Sequence, residues 1–208
     1  MTWKNHIPLI AILRGIKPNE IHQHIPLLIE AGFQAIEIPL NSPDWQISIK
    51  EAVKHYGKKT LIGAGTVLEE EEVDLLANIG CQLIVTPNIN SDVIKSAIKY
   101  NMVICPGCAT VSEAFSAISA GAKSLKIFPA TSFGPNYIKA LKTVLPKDIP
   151  IFAVGGITLD NLQQYINSGC IGAGLGGELY KAGQSPVKTK QKAQAFIKAY
   201  REIQNENN

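Results

Sequence analysis

Short apolar runs recur along this chain at intervals of roughly 20 to 28 residues, and most intervals contain a segment whose apolar positions follow helical spacing. The runs cover residues 7–13, 35–39, 60–64, 82–86, 102–105, 124–128, 150–154 and 171–174. They form a βα repeat. Their apolar content leaves little room for a solvated sheet face, which suits parallel strands covered by helices. Eight units predict an α/β fold, a closed (β/α)8 TIM barrel at the small end of its size range. The competing arrangement is an open doubly wound sheet, but no G-x-G-x-x-G fingerprint opens the first helix.

At 208 residues the chain suffices for one well-buried core and is short for two, so residues 1–208 are expected to form a single domain. A content of 46% hydrophobic and 18% charged residues is that of an ordinary globular protein. The net charge is +3, with basic residues scattered rather than striped, which argues against nucleic-acid and membrane partners. No run approaches the ~18 apolar residues of a membrane span, and Met1 to His6 does not resemble the start of a signal peptide. A cytoplasmic location is expected.

Cys105-Pro106-Gly107-Cys108 has the spacing of a redox pair or half of a zinc site. Cys81 and Cys170 stand alone, and His6, His22, His24 and His55 show no spacing that pairs with the cysteines. The expectation is therefore neither a metal site nor a disulfide scaffold.

Helix signals agree with the strand phasing. Pro18 and Asn19 open a segment carrying Ile21, Ile25, Leu28 and Ile29, in which Pro26 predicts a kink or a late start. Ser42 reads as a cap before Pro43 at the first helical position. Glu69 to Glu72 complement the dipole of a first turn, and Asn90-Ser91-Asp92 and Thr110-Val111-Ser112-Glu113 open two further helices. The last segment, 187–204, gathers Ala193, Phe196, Ile197 and Tyr200 on one side, and the final four residues are expected to fray.

In a (β/α)8 barrel the active site lies at the C-terminal ends of the strands. Those ends carry Arg14-Gly15, Glu37, Gly65-Thr66, Thr86-Pro87-Asn88, Cys105-Pro106-Gly107, Lys126, Gly155-Gly156 and Gly174 to Gly177. Strand alternation puts Ala35 and Glu37 on one face with Ile36 and Ile38 on the other, and sets Lys126 opposite Leu125 and Ile127. A carboxylate and an amine thus both face the lumen, from the second and sixth strands. At an ordinary pKa of about 10.4 roughly one lysine in 2,500 is neutral at pH 7, and burial raises that fraction. A neutral amine attacks carbonyls, so the pair suits imine formation with a carboxylate moving protons. An internal salt bridge filling the barrel is the structural alternative. Arg14 is placed to hold an anion, or simply to reach solvent. Thr66 is placed to hydrogen-bond a substrate carboxylate or hydroxyl. The glycines after the seventh and eighth strands suit phosphate, because bare backbone N–H groups approach an anion closely; tight turns are their other use.

The motifs Ile12-Leu13-Arg14-Gly15, Ala35 to Leu40 (AIEIPL), Ile62 to Val67 (IGAGTV), Val85-Thr86-Pro87-Asn88, Cys105-Pro106-Gly107, Leu125 to Pro129 (LKIFP) and Phe152 to Gly156 (FAVGG), in this order, resemble the 2-keto-3-deoxy-6-phosphogluconate/6-phosphogalactonate aldolase family over essentially the whole chain. The resemblance implies a class I aldolase without cofactor or metal, acting on a phosphorylated keto-acid as a homotrimer. It implies Lys126 as the Schiff-base residue and Glu37 as general acid/base. Arg14 and Thr66 would contact substrate, with Gly155, Gly156, Gly176 and Gly177 around the phosphate. Glu37 to Pro43 (EIPLNSP) resembles the 6-phosphogalactonate branch, since phosphogluconate-type members usually carry arginine where Asn41 stands. Gly177 departs from that branch, which often has serine there; the backbone N–H remains and the hydroxyl is lost. A metal-free phosphosugar isomerase or epimerase, or a noncatalytic phosphate-ligand barrel, are the other classes.

Overall fold

Each apolar run becomes a strand in the computed structural model, which describes Trp3 and residues 7–206. Among these residues the strands are β1 (Leu9–Ile12), β2 (Ala35–Pro39), β3 (Leu61–Gly65), β4 (Leu83–Val85), β5 (Val103–Cys105), β6 (Gly107–Cys108), β7 (Leu125–Ile127), β8 (Ile151–Val154) and β9 (Gly172–Leu175). All neighbours pair in parallel, in the order β5-β4-β3-β2-β1-β9-β8-β7-β6. The two strands at the ends of this order, β5 and β6, are halves of one extended segment parted only by Pro106. The first half pairs with β4 and the second with β7, so this segment closes the barrel and the nine strands act as eight staves.

Pro106 breaks the stave because it has no N–H to give the ladder. Its carbonyl still accepts the Lys126 N–H at 2.9 Å. Thr86 spans the break on the other side, where its Oγ accepts the Gly107 N–H at 3.1 Å and donates to the Asn88 carbonyl at 2.6 Å. A Cβ on Gly107 would lie 2.6 Å from the backbone of Pro87, so glycine permits this approach.

The helices are α1 (Ile21–Ala31), α2 (Trp45–Tyr56), α3 (Glu70–Ile79), α4 (Ser91–Lys99), α5 (Val111–Ser119), α6 (Ala130–Lys142), α7 (Leu159–Asn167) and α8 (Pro186–Glu206). Three start as the sequence predicts: Glu72 accepts the N–H groups of Leu68 and Glu69 ahead of α3, Asn90 caps α4 through the Asp92 N–H, and Thr110 with Glu113 forms a capping box on α5. Three expectations are revised. A 3-10 turn at Pro18–Glu20 leads into α1, which starts at Ile21 and runs through Pro26 rather than starting late. Pro26 is the sixth residue of the helix and forfeits one N–H bond within it. Ser42 does not cap α2; its Oγ accepts the Gly15 N–H at 2.9 Å, and Asp44, with φ 47°, is the residue before the helix. The predicted fraying does not reach Asn205 and Glu206, which stay helical, and Glu206 accepts a 2.8 Å bond from Gln163. Asn207, Asn208, His6 and the rest of the amino-terminal stretch other than Trp3 lie outside the described residues.

The sheet divides the buried residues into two groups. Leu9, Ala11, Ile36, Ile38, Ile62, Ala64, Leu125, Ile127, Ile151 and Ala153 face the helices and belong to the main core. Ile10, Ile12, Ala35, Leu83, Val85, Cys105, Phe152 and Val154 form a separate cluster inside the barrel. Burial of each large side chain contributes about 1.5–3 kcal/mol, so slipping a strand by one residue would reverse both groups at once. The strand register is thereby held, and with it the direction of every lumen side chain.

Candidate active site

Lys126 is the middle residue of β7. Leu125 and Ile127 on either side pack into the helix-facing core, so the lysine points into the lumen, with 6% of its surface exposed. Burial lowers its pKa; Glu37 and Cys105 oppose that shift, and Arg14 reinforces it. Its Nζ lies 4.8 Å from the centroid of the Phe128 ring, two residues along the same strand direction. Contact with the ring face favours the ammonium. Desolvation nevertheless dominates, and the net direction is toward the neutral amine.

Glu37 reaches the lumen from β2 and is 2% exposed. Burial raises its pKa to about 7, with the charges of Lys126 and Arg14 holding it back. A carboxyl group poised there serves as acid or base at neutral pH with equal ease. Its Oε2 has no hydrogen-bond partner. The ion pairs within 4.0 Å among the described residues all involve other side chains. Glu37 and Lys126 therefore feel each other's charge without a direct salt bridge, and the closed internal ion pair that the sequence left open is not formed.

The space for the Glu37 carboxyl is made by a glycine. Glu37 and Gly63 are register partners on β2 and β3, and Gly65 follows two residues later on the same face. A Cβ built on Gly65 would overlap the Glu37 Oε2 and Cδ. Sequence reading places Gly65 at a strand end but assigns it no role. It misses Phe128 likewise, although the two-residue period from Lys126 is the signal that locates it.

Arg14 is exposed at the end of β1, and its Nη1 donates a 2.6 Å hydrogen bond to Asn41 Oδ1 beyond β2. Asn41, the residue bearing on the branch of the family, thus holds the guanidinium through its amide oxygen. The Arg14 charge acts on both Glu37 and Lys126. Thr66, directly after Gly65, has φ 59°, a left-handed conformation that is costly for a β-branched residue.

Beyond β8, Gly155 and Gly156 have φ 99° and 75° and lie against the start of α6. Thr131 donates its hydroxyl to the Gly155 carbonyl at 3.2 Å, and a Cβ on Gly156 would lie 2.5 Å from that hydroxyl oxygen. Beyond β9, a Cβ added to Gly176 would meet nothing within 4 Å, and one on Gly177 only the Lys181 Cε at 3.9 Å. One glycine pair is thus demanded by the turn and the other is open to the surroundings. Arg14, Thr66, Gly155, Gly156, Gly176 and Gly177 follow the C-terminal ends of their strands, and Glu37 and Lys126 sit mid-strand inside the lumen.

The C-x-x-C pair does not resemble a redox site. Cys105 lies in the lumen cluster and Cys108 in the helix-facing core, and burial pushes both thiols up to about 12.

A family model described as KDPG and KHG aldolase matches residues 3–195. The chain is 63% identical over 202 residues to the 2-dehydro-3-deoxy-6-phosphogalactonate aldolase of Escherichia coli (strain K12), covering 97% of this chain and 98% of the relative. A solved structure described as native KDPGal superposes with a TM-score of 0.97 at 62% identity, covering 99% of this chain and 100% of that one. A cube-shaped, highly porous protein cage designed by fusing symmetric oligomeric domains contains a region 63% identical to this chain, with a TM-score of 0.96, covering 97% of this chain and 74% of that one.

Proposed function

The chain belongs to the KDPG and KHG aldolase family, and we propose that it is a class I aldolase, an aldehyde-lyase that cleaves 2-dehydro-3-deoxy-6-phosphogalactonate to pyruvate and glyceraldehyde 3-phosphate in galactonate breakdown. The observation that carries this reading is the buried, unbridged pair of Lys126 and Glu37 in the lumen.

The chemistry follows from what burial does to each partner. Neutral Lys126 adds to the C2 ketone, and Glu37 in its acid form gives a proton to the departing hydroxyl, which leaves as water and forms the iminium. Glu37, now a carboxylate, takes the C4 hydroxyl proton as the C3–C4 bond breaks. The bond electrons pass into the iminium, giving an enamine, and glyceraldehyde 3-phosphate leaves. Glu37 returns its proton to C3, and water, giving up one proton to Glu37, hydrolyses the iminium to pyruvate and the neutral amine, which restores the starting state. A carboxyl pKa of about 7 suits a group that must give and take protons in alternate steps. The iminium draws the electrons of the breaking bond, so no metal ion is required by this route.

Arg14 and Thr66 contact the substrate's carboxylate and hydroxyls in this reading. Gly155, Gly156, Gly176 and Gly177 surround the phosphate, the last through its backbone N–H alone. Residues 1–208 act as one catalytic domain, in a cytoplasmic homotrimer. No described helix is long and apolar enough to cross a membrane, and the similarity to a domain used in a cage of symmetric oligomers supports self-association.

Pyruvate release coupled to lactate dehydrogenase tests the substrate. The galactonate substrate should give a higher kcat/KM than its C4 epimer, 2-dehydro-3-deoxy-6-phosphogluconate. A preference for the epimer would transfer the assignment to the gluconate aldolase, and no pyruvate from either would remove the aldolase reading.

A further inference from the structure

Outside the lumen, three side chains on the outer helices come together in a way the barrel chemistry does not use. His22 is in the first turn of α1, and Glu51 and His55 are one turn apart on α2. His55 Nε2 lies 3.3 Å and His22 Nε2 3.6 Å from the same carboxylate oxygen, Glu51 Oε2. One ligand atom from each residue falls within 4.8 Å of the other two, and this is the one such group of three His, Cys, Asp or Glu found among the described residues.

We propose that His22, Glu51 and His55 bind a first-row divalent metal ion, with Zn2+ as the ion best suited, and so clip α1 to α2. In a tetrahedral zinc site with bonds of about 2.0–2.1 Å, neighbouring ligand atoms stand about 3.3–3.4 Å apart. The two edges from Glu51 meet that spacing within a few tenths of an ångström. The third closes by small rotations of side chains that are 50% and 43% exposed. The outer contact is also in place: His22 Nδ1 lies 2.8 Å from the Tyr56 hydroxyl. With Nδ1–H donated to the phenol oxygen, Nε2 carries the lone pair and faces Glu51, as ligating imidazoles are held elsewhere. Two imidazoles and one carboxylate leave the fourth position to water and favour zinc, cobalt, nickel or copper over magnesium or calcium. The two imidazole rings meet edge to face, with centroids 4.8 Å apart, so they already share the space beside one carboxylate. Glu51 and His55, four residues apart, share one face of α2, and the third ligand comes from a different helix, so no spacing in the sequence joins all three.

The test is calorimetric titration of chelator-treated, tag-free full-length protein with zinc chloride. One ion per chain is expected, with micromolar affinity. His22→Ala and His55→Ala should each weaken binding by at least ~10-fold, and Tyr56→Phe, which keeps all three ligands, by about 10-fold through loss of the outer contact. Zinc at about 100 times its Kd should raise the melting temperature by ~5 °C or more in the parent and leave the His22→Ala/His55→Ala double variant unmoved. Equal affinity in parent and double variant, or no stoichiometric binding up to about 1 mM zinc, overturns the site.

Discussion

Replacing Gly65 by alanine should disable the enzyme although every residue assigned to the substrate stays in place in the sequence. The added methyl would overlap the Glu37 Oε2 and Cδ and lie 2.5 Å from Oε1, where ordinary contact is about 3.5–4 Å. Glu37 is 2% exposed, so its carboxyl must move by more than about 1 Å within a buried space. A displacement of that size at a reacting group costs on the order of 100-fold in rate, and overpacking costs about 1–3 kcal/mol of stability. Gly63→Ala is the matched control. Its methyl would meet Leu83 at 2.6 Å rather than the carboxyl. The assay is pyruvate release per folded enzyme, beside thermal melting of both variants. Both should lose stability, and only Gly65→Ala should lose ~100-fold in kcat. A folded Gly65→Ala enzyme within about threefold of the parent would show that the position of Glu37 does not govern the rate.

Glu37→Gln should lower turnover by ~100-fold or more, the scale of lost general acid/base catalysis, and a near-parental rate would refute the role. The same variant should be the more stable protein at pH 8 but not at pH 4. The folded state raises the Glu37 pKa from 4.5 to about 7, so it holds the proton more tightly than the unfolded chain. Stability is therefore full below pH 4.5 and is lost as pH rises through 7, by at most about 3 kcal/mol at 1.36 kcal/mol per pH unit. Removing the counter-charge of Lys126 offsets part of that gain, and urea unfolding at the two pH values measures the remainder. Thr66→Gly should cut kcat/KM by roughly 10-fold through loss of the hydroxyl while changing stability by less than about 1 kcal/mol, because relief at φ 59° offsets the entropy of glycine. A larger stability loss in melting experiments would contradict strain at that residue. Gly177→Ser should lower KM for the phosphorylated substrate several-fold with unchanged melting, since a Cβ there meets only the Lys181 Cε at 3.9 Å; an unchanged KM would place the phosphate elsewhere.

What the sequence reveals is whatever a side chain announces by itself. The run 35–39 coincides with β2, and period-two alternation aims Glu37 and Lys126 into the lumen because Ile36, Ile38, Leu125 and Ile127 must face the helices. The starts of α3 and α5 are legible because acidic and hydroxyl residues gather in the first turn, and the fold closes them into capping boxes. What stays hidden depends on partners distant in sequence or on empty volume. Gly65 matters because it lacks atoms where Glu37 has them. Ser42 resembles a cap in sequence because only the folded chain brings Gly15 to it. The split of the closing stave at Pro106 is bridged by Thr86, 20 or more residues away. Arg14 and Asn41 are separate signals in the sequence, and the hydrogen bond between them appears only when β1 and β2 lie side by side.

The central claim is that Lys126 is the amine that captures the ketone. Borohydride reduction of the enzyme in the presence of pyruvate, followed by digestion and mass spectrometry, tests it directly. The adduct should fall on the peptide containing Lys126 and vanish in Lys126→Met. Undiminished labelling in that variant, or a label on another lysine of the parent, would contradict it.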